Sequence, residues 1–217
     1  MKTFHDLQEG VYDPNILKAF FLAGGPGSGK SYVIQRTTGG LGMKVVNSDN
    51  AFEKLLKDAG LSLKMPPEEE EPRGAIRTHA KKLTAKRQAN YVEGRLGLII
   101  DGTGREFDRI SKQARELENL GYDVYMIYVN TSLDVALQRN EKRARSVPTS
   151  IVTNSWKAVQ SNIGKFNNFF KKGFIIVDNN DKDEDMMKVV IKRVRHLANR
   201  KVQNSRGKAW IAQQLQM

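Results

Sequence analysis

The chain has 217 residues, 39% of them hydrophobic, which is enough for one α/β domain with a sizeable core and a short appendage. It has no cysteine, which excludes disulfides, thiolate metal sites and cysteine nucleophiles. Its net charge of +12 and pI near 9.8 favour a polyanionic substrate or partner, although part of that charge can simply line a nucleotide site.

The start of the chain carries no targeting signal that we can recognise. Residues 1–15 mix charges with isolated apolar residues and lack the apolar segment of a signal peptide. No apolar run approaches the roughly 20 residues of a membrane-spanning helix. We therefore expect a soluble, cytoplasmic protein without a membrane partner.

A phosphate-binding loop follows the first predicted strand. The apolar run 20–23 leads directly into a G-x-x-x-x-G-K-S motif that opens a helix. The glycines let backbone N–H groups turn towards a polyphosphate, the lysine reaches its β- and γ-phosphates, and the serine hydroxyl binds Mg²⁺. The alternative is a glycine-rich turn. The residues predicted to bind ATP are Gly25, Pro26, Gly27, Ser28, Gly29, Lys30 and Ser31.

Asp49 is the candidate general base. Residues 43–47 predict a short second strand and residues 51–59 a helix, so that Asp49 lies just beyond the strand. Phosphoryl transfer needs a group that orients or deprotonates the acceptor, and a carboxylate at this place can receive the proton of an acceptor hydroxyl. The alternative is structural, because Ser48, Asp49 or Asn50 can each N-cap the following helix.

The next two segments have opposite charges. Residues 61–73 are rich in proline and glutamate and predict an exposed, mobile, acidic loop. Residues 74–95 predict a basic helix, which favours a polyanionic acceptor. Its cations are Arg77, Lys81, Lys82, Lys86 and Arg87.

Asp101 ends a third predicted strand, the buried apolar run 97–101. This is the Walker-B position, where a carboxylate holds Mg²⁺ directly or through water. We therefore predict a metal site formed by Ser31 and Asp101. Thr103 and Arg105 follow on the same loop and either contact the substrate or are solvent-facing turn residues.

A cluster of cations follows the fourth predicted strand, residues 124–129. Ser132 is placed to N-cap a helix through Arg139. The segment 139–148 is predicted to close over the nucleotide as a lid, with Arg139 and Arg143 stabilising charge in the transition state, an effect of about 10³- to 10⁵-fold in related chemistry. Lys142 and Arg145 belong to the same run. The alternative is a solvated basic helix end.

The last third of the chain predicts a helix (150–171), a fifth strand (173–178), a further helix (181–199) and a basic tail (199–217). Asn179 and Asn180 follow the fifth strand and either edge the adenine or form a turn. Between residues 192 and 208 there are seven cations and no acidic residue, which fits nucleic-acid contact or a solvated charged face. His5, His79 and His196 are scattered and are expected at the surface.

The alternation of strands and helices predicts a single α/β domain over residues 1–198. Strands separated by helices form a parallel sheet with helices on both faces, and ligands bind at the carboxyl ends of its strands. The phosphate-binding loop, Asp49 and Asp101 all fall at that edge.

Several of these motifs together resemble the kinase domain of phage polynucleotide 5′-kinases and the related zeta-toxin-type kinases. The matching segments are 24–31, 47–49, 101–103 and 137–143 with Val147-Pro148, within a resemblance that covers about residues 19–178. It implies a P-loop sandwich of three layers, α/β/α, with sheet order 2-3-1-4-5. It also implies Lys30 and Ser31 on ATP and Mg²⁺, Asp49 as the base, Arg139 and Arg143 as lid arginines, and Asp101 at the metal or acceptor site. A phage-encoded protein of this kind would act in the host cytoplasm.

The sequence departs from this family at one position. Such kinases usually carry an arginine three residues after the catalytic aspartate, where it binds the acceptor, and here that position is Phe52. Lys54, Arg73 and Arg77 are the candidate substitutes.

Three functions remain open at this point. The first is an ATP-dependent kinase that phosphorylates a polynucleotide 5′-hydroxyl or a nucleotide. The second is a zeta-toxin-like kinase of a nucleotide sugar. The third is a non-catalytic nucleotide-binding protein that docks on nucleic acid or on an assembly through its basic tail.

Overall fold

The structure, a computed structural model, describes residues 11–64, 66–143, 147–181 and 183–216. Its centre is a five-stranded sheet in the order β2-β3-β1-β4-β5, with every neighbouring pair parallel. The strands are β1 (Lys18–Ala23), β2 (Lys44–Val46), β3 (Leu98–Asp101), β4 (Asp123–Asn130) and β5 (Phe174–Asp178). The predicted α/β class and strand order are confirmed.

Helices cover both faces of the sheet. Those of the described residues are α1 (Lys30–Thr38), α2 (Ser48–Asp58), α3 (Glu70–Glu93), α4 (Phe107–Asn119), α5 (Leu133–Glu141), α6 (Thr149–Ser161), α7 (Ile163–Phe170), α8 (Glu184–Asn199) and α9 (Ser205–Gln214). Short 3₁₀ turns lie at Pro67–Glu69 and Lys171–Gly173. Within the described ranges, no helix combines the length and the apolar character that crossing a bilayer demands.

The alternation of side chains along β1 divides the main core between the two faces of the sheet. Phe21 belongs to a cluster that also contains Met126 and Phe166. Phe20 points to the opposite face, where its cluster includes Val194 of α8. Because all six residues of β1 are buried, the strand that carries the phosphate-binding loop is held from both sides.

Helices α2 and α3 have a small hydrophobic cluster of their own. Phe52, Leu56 and Ala80 are its buried members, with Leu55 and Ile76 packed against them. This helical pair lies next to β2, at one edge of the sheet. The residues that follow β2 are therefore supported by a core separate from that of the sheet.

The C-terminal segment folds back onto the start of the sheet. Lys18 Nζ, almost fully buried, donates to Asp123 Oδ2 at 2.6 Å, and Asp123 also accepts the backbone N–H groups of Gln203 and Asn204. Helix α9 then packs so closely that a Cβ on Gly207 would overlap the carbonyl oxygen of Gly121. Residues 199–216 thus include a docked helix.

Some boundaries differ from the sequence predictions for identifiable reasons. Helix α3 begins at Glu70, inside the segment predicted as a loop, because glutamates stabilise a first helical turn and proline is tolerated there. The predicted helix over residues 150–171 is two helices that meet at Asn162. The amide of that residue donates to the carbonyl oxygens of Gly104 (3.1 Å) and Arg105 (2.8 Å).

Candidate active site

The predicted nucleotide-binding residues line one pocket of about 260 Å³ at the carboxyl end of β1. Helix α1 opens from this loop, so the unpaired N–H groups of its first turn lie beside the pocket and favour an anion. The residues around the pocket are Gly25, Pro26, Gly27, Ser28, Gly29, Lys30, Ser31, Arg139 and Arg143. The loop and the two arginines predicted for the lid therefore share one cavity.

Packing as well as phosphate binding requires the glycines of this loop. Gly27 has φ +79°, and a Cβ there would overlap the backbone carbonyl of Ala136 in α5. Gly29 has φ +82°, and a Cβ there would overlap Asn179, whose amide donates to the carbonyl of Ser28 at 2.7 Å. Asn179 is buried and supports the loop, so neither interpretation given to it from the sequence describes its main contact.

Asp49 lies in the first turn of α2, next to Asp101. The N-cap of α2 is Asn47, whose side chain accepts from the backbone N–H of Asp49 at 2.6 Å, so the N-cap alternative for Asp49 is wrong. The amide of Asn47 also donates to Asp101 Oδ2 at 2.7 Å. This arrangement follows from the strand order, because β3 lies between β1 and β2 and brings the ends of all three together.

The charges of Lys30 and the two aspartates influence one another. Burial lowers the pKa of Lys30, the nearby carboxylates of Asp101 and Asp49 oppose this, and Arg143 adds to it. Burial raises the pKa of Asp101, Lys30 opposes the rise, and Asp49 reinforces it. Lys30 Nζ donates to the carbonyl of Gly24 at 2.5 Å. Asn47 links the candidate base and the candidate metal ligand through its hydrogen bonds, and the P-loop lysine lies near enough for its charge to interact with both carboxylates.

Asp101 and Ser31 fit a divalent cation. Asp101 Oδ1 is buried and accepts no hydrogen bond from the described part of the chain. The hydroxyl of Ser31 belongs to the second residue of α1 and lines the phosphate pocket. Mg²⁺ prefers such hard oxygen ligands, with phosphate oxygens and water completing its shell. The donor set is therefore suited to a nucleotide-bound Mg²⁺.

The two arginines predicted for the lid lie in α5 and just after it. The guanidinium of Arg139 donates to the carbonyls of Asn179 (2.6 Å) and Asn180 (3.1 Å). Asn140 is buried, and its side chain makes hydrogen bonds of 2.8 and 3.1 Å with the carbonyl and the N–H of Val147, so these two residues are held together. Ser132 caps α5 as predicted. Arg145, the remaining arginine of the predicted lid, lies outside the described residues.

Arg77 of α3 reaches the candidate base, a contact that sequence spacing alone left undecided. Its guanidinium donates to Asp49 Oδ1 at 2.5 Å and lies over the ring of Phe52, 4.7 Å from the centroid. Both charged side chains are about two-fifths exposed, and ion pairs in such surroundings contribute about 0.2–1 kcal/mol. Arg73 instead donates to the carbonyl of Pro66.

Other candidate residues lie around this cluster or away from it. Thr103 and Arg105 are exposed on the loop after β3, and the carbonyl of Thr103 accepts from the N–H of Gly24 at 2.9 Å. Lys201 contacts Lys18 at the first residue of β1, so the basic segment 192–208 approaches the sheet at the edge opposite the phosphate pocket. The six residues of β1 separate the two edges by about 20 Å. Nucleic-acid docking by the tail stays a prediction.

Comparison with known families supports the same centre. The zeta toxin family model matches residues 11–188, most of the chain. This chain belongs to the zeta toxin family. It is therefore a P-loop kinase, a phosphotransferase whose acceptor is a hydroxyl group. The resemblance to zeta-toxin-type kinases inferred from the sequence motifs is confirmed, and a purely non-catalytic function does not fit the family.

Solved structures share the fold of this zeta toxin family member. A candidate kinase from Chloroflexus aurantiacus J-10-fl has a TM-score of 0.60 at 17% identity, with 86% of this chain and 100% of that chain covered. The PezAT toxin–antitoxin system of Streptococcus pneumoniae gives 0.54 at 15% identity, covering 89% and 91%. The AvrRxo1-ORF1:-ORF2 complex with ATP gives 0.56 at 16% identity, covering 77% and 58%. None of the curated proteins compared with the chain matches it significantly.

Proposed function

We propose that this kinase uses ATP and Mg²⁺ to phosphorylate a hydroxyl of an acceptor that carries phosphate of its own, with a polynucleotide 5′ end or a nucleotide as the favoured acceptor. The observation that carries the proposal is the pair of Asn47 hydrogen bonds, one to Asp101 Oδ2 and one from the backbone N–H of Asp49, at the same end of the sheet as the phosphate pocket lined by Lys30. This arrangement supports a donor cradle, a candidate base and a candidate metal ligand that act on one terminal phosphate.

Each residue of the cluster has a defined task in this proposal. Lys30, Arg139 and Arg143 neutralise the donor phosphates and the charge that develops during transfer, while Asp49 takes the proton of the attacking hydroxyl. Ser31 and Asp101 would hold Mg²⁺, which would offset the charge of the donor phosphates. The other loop residues orient the triphosphate through their backbone.

The surface of α3 supports a polyanionic acceptor. Beyond Arg77, which lies at Asp49, the helix continues for about 15 Å to residue 87. Four cations of this stretch are exposed: Lys81, Lys82, Lys86 and Arg87. These cations are distributed around the helix and make it positively charged next to Asp49, which favours a polyanionic acceptor; each phosphate neutralised there adds affinity that salt weakens.

A nucleotide sugar is the second candidate acceptor. The match to the zeta toxin family over residues 11–188 favours it, since the resemblance to zeta-toxin-type kinases implies such a substrate. A nucleotide sugar also carries phosphate near its hydroxyls, so the same site chemistry fits it.

The test is phosphoryl transfer from γ-labelled ATP to a panel of 5′-hydroxyl oligonucleotides, nucleoside monophosphates and UDP-sugars. Asp49→Asn should lower kcat by about 10²- to 10⁴-fold for the acceptor that is phosphorylated, because it removes the general base. ATP affinity should stay unchanged, since Asp49 does not line the phosphate pocket. Asp58→Asn, at the other end of α2, is the matched control.

Two results would contradict this proposal. One is full activity in the Asp49→Asn variant, which would remove Asp49 as the base. The other is the absence of transfer to every acceptor of the panel while ATP still binds.

A further inference from the structure

Arg77 reaches the candidate base from another helix. It comes from α3, 28 residues after Asp49 in the chain, and its guanidinium is hydrogen-bonded to that aspartate and lies over the ring of Phe52, 4.7 Å from the centroid. The ring of Phe52, on the helix of the candidate base, thus contacts a guanidinium of the neighbouring helix.

We propose that Arg77 is the acceptor-binding residue of this kinase and that it selects acceptors with a phosphate next to the reacting hydroxyl. The inference rests on the proposed function of Asp49 as the base. A general base must lie within about 2.6–3.2 Å of the hydroxyl that it deprotonates. A guanidinium bonded to the same carboxylate is therefore within a few ångströms of the bound acceptor.

The chemistry of the side chain fits a phosphate. A guanidinium has five N–H donors in a planar fork, and the hydrogen bond to Asp49 is the one that Arg77 makes within the described residues. The other donors can bind two phosphate oxygens at once. The anion of the acceptor can also displace the carboxylate, because the half-exposed pair with Asp49 is weak.

The ring of Phe52 restricts where the guanidinium can lie. Phe52 is only 3% exposed and belongs to the α2–α3 cluster, so its ring is held in place under the guanidinium, 4.7 Å from the centroid. A lysine at position 77 would weaken this cation–π contact and lose the two-oxygen contact. The other candidate cations do not replace Arg77, because Arg73 is bonded to the carbonyl of Pro66 and Lys54 is exposed.

The experiment compares Arg77 variants on two acceptors that differ in whether they carry phosphate. Adenosine 3′-monophosphate and adenosine present the same 5′-hydroxyl with and without the nearest phosphate; if the panel selects a UDP-sugar, the pair is that UDP-sugar and the free sugar. Arg77→Gln should lower kcat/KM for the phosphorylated member by about 100-fold and change it less than threefold for the other. Arg77→Lys should recover little of the loss. Arg73→Gln, one turn earlier on α3, should leave both values unchanged.

A binding measurement keeps the test independent of turnover. By calorimetry, Arg77→Gln should weaken binding of the phosphorylated acceptor by about 10- to 100-fold, or about 1.4–2.7 kcal/mol, while Asp49→Asn retains binding. Equal losses for both members of the pair, or unchanged binding in Arg77→Gln, would overturn the proposal. If Asp49→Asn loses phosphoryl transfer but still binds the acceptor, the result concerns only Asp49 as the general base. Failure of the proposal for Arg77 can therefore be distinguished from failure of the proposed function.

Discussion

The contact between the phosphate-binding loop and α5 gives a prediction with a built-in control. Gly27 and Gly40 have nearly the same φ, +79° and +80°, but different surroundings. A Cβ at Gly27 would overlap the carbonyl of Ala136, whereas a Cβ at Gly40 would meet nothing within 4 Å. Alanine at either position therefore carries the same backbone strain, and the difference between them measures the packing against α5.

The expected losses of folding stability follow from the backbone strain and from the clash with α5. A side chain in the left-handed region costs about 1–2 kcal/mol, and forcing an extra group into a packed contact costs about 1–3 kcal/mol more. We expect Gly40→Ala to destabilise by about 1–2 kcal/mol and Gly27→Ala by about 2–5 kcal/mol. For a domain of this size the falls in Tm are about 2–8 °C and 4–20 °C.

The same overlap should reach the nucleotide site. Relief of the clash requires the loop or α5 to shift, and α5 carries Arg139 at the edge of the phosphate pocket. Gly27→Ala should therefore weaken binding of a Mg²⁺–ATP analogue at least tenfold by calorimetry, and Gly40→Ala less than twofold. Equal falls in Tm for the two variants, or normal nucleotide affinity in Gly27→Ala, would refute the reasoning.

Two further predictions concern the metal ligand and the lid. Because burial raises the pKa of Asp101, the nucleotide-free protein gains stability as pH falls through that pKa. The Asp101→Asn variant should therefore have a higher Tm at pH 8, a weaker dependence of Tm on pH, and no stabilisation by Mg²⁺–ATP. If Mg²⁺–ATP still stabilised this variant as it does the parent protein, the assignment of Asp101 as a metal ligand would be contradicted. Asn140→Ala removes both bonds to Val147 and should cost about 1–3 kcal/mol of stability and at least tenfold in kcat. The control is Ser132→Ala, which removes the N-cap of α5 at a similar cost in stability and should leave kcat nearly unchanged. Equal losses of kcat in the two variants would exclude a specific function of the Asn140–Val147 hydrogen bonds.

Local sequence signals account for most of the fold. The phosphate-binding loop around Lys30 can be predicted from the sequence because an apolar strand, a glycine loop and a helix follow one another there in the required order. Asp101 and the cap at Ser132 are equally local, since a strand end and a helix start are marked by their immediate neighbours. The order of the strands came from the family resemblance, because alternation of strands and helices by itself fits several orders.

The sequence could not resolve the contacts made between distant elements. Arg77 meets Asp49 only because α2 and α3 pack against each other, and nothing in either helix alone specifies that pairing. Asn179 and Asn162 read as ordinary turn or helix residues, yet they bind carbonyls in loops more than 50 positions away. Helix α9 depends in the same way on the close approach of Gly207 to Gly121. Contacts of this kind involve backbone groups, which are the same in nearly every residue, so the sequence does not indicate which side chain will bind them.

The separate hydrophobic cluster of α2 and α3 has a consequence for how this kinase can change. The phosphate-binding loop is built on the main sheet, while Asp49 and Arg77, the residues proposed to meet the acceptor, are supported by Phe52, Leu56 and their neighbours. Substitutions in that helical pair can alter which molecule is phosphorylated without disturbing how ATP is held. Natural variation and engineering can therefore change the acceptor specificity of such a kinase without changing how it binds the phosphate donor.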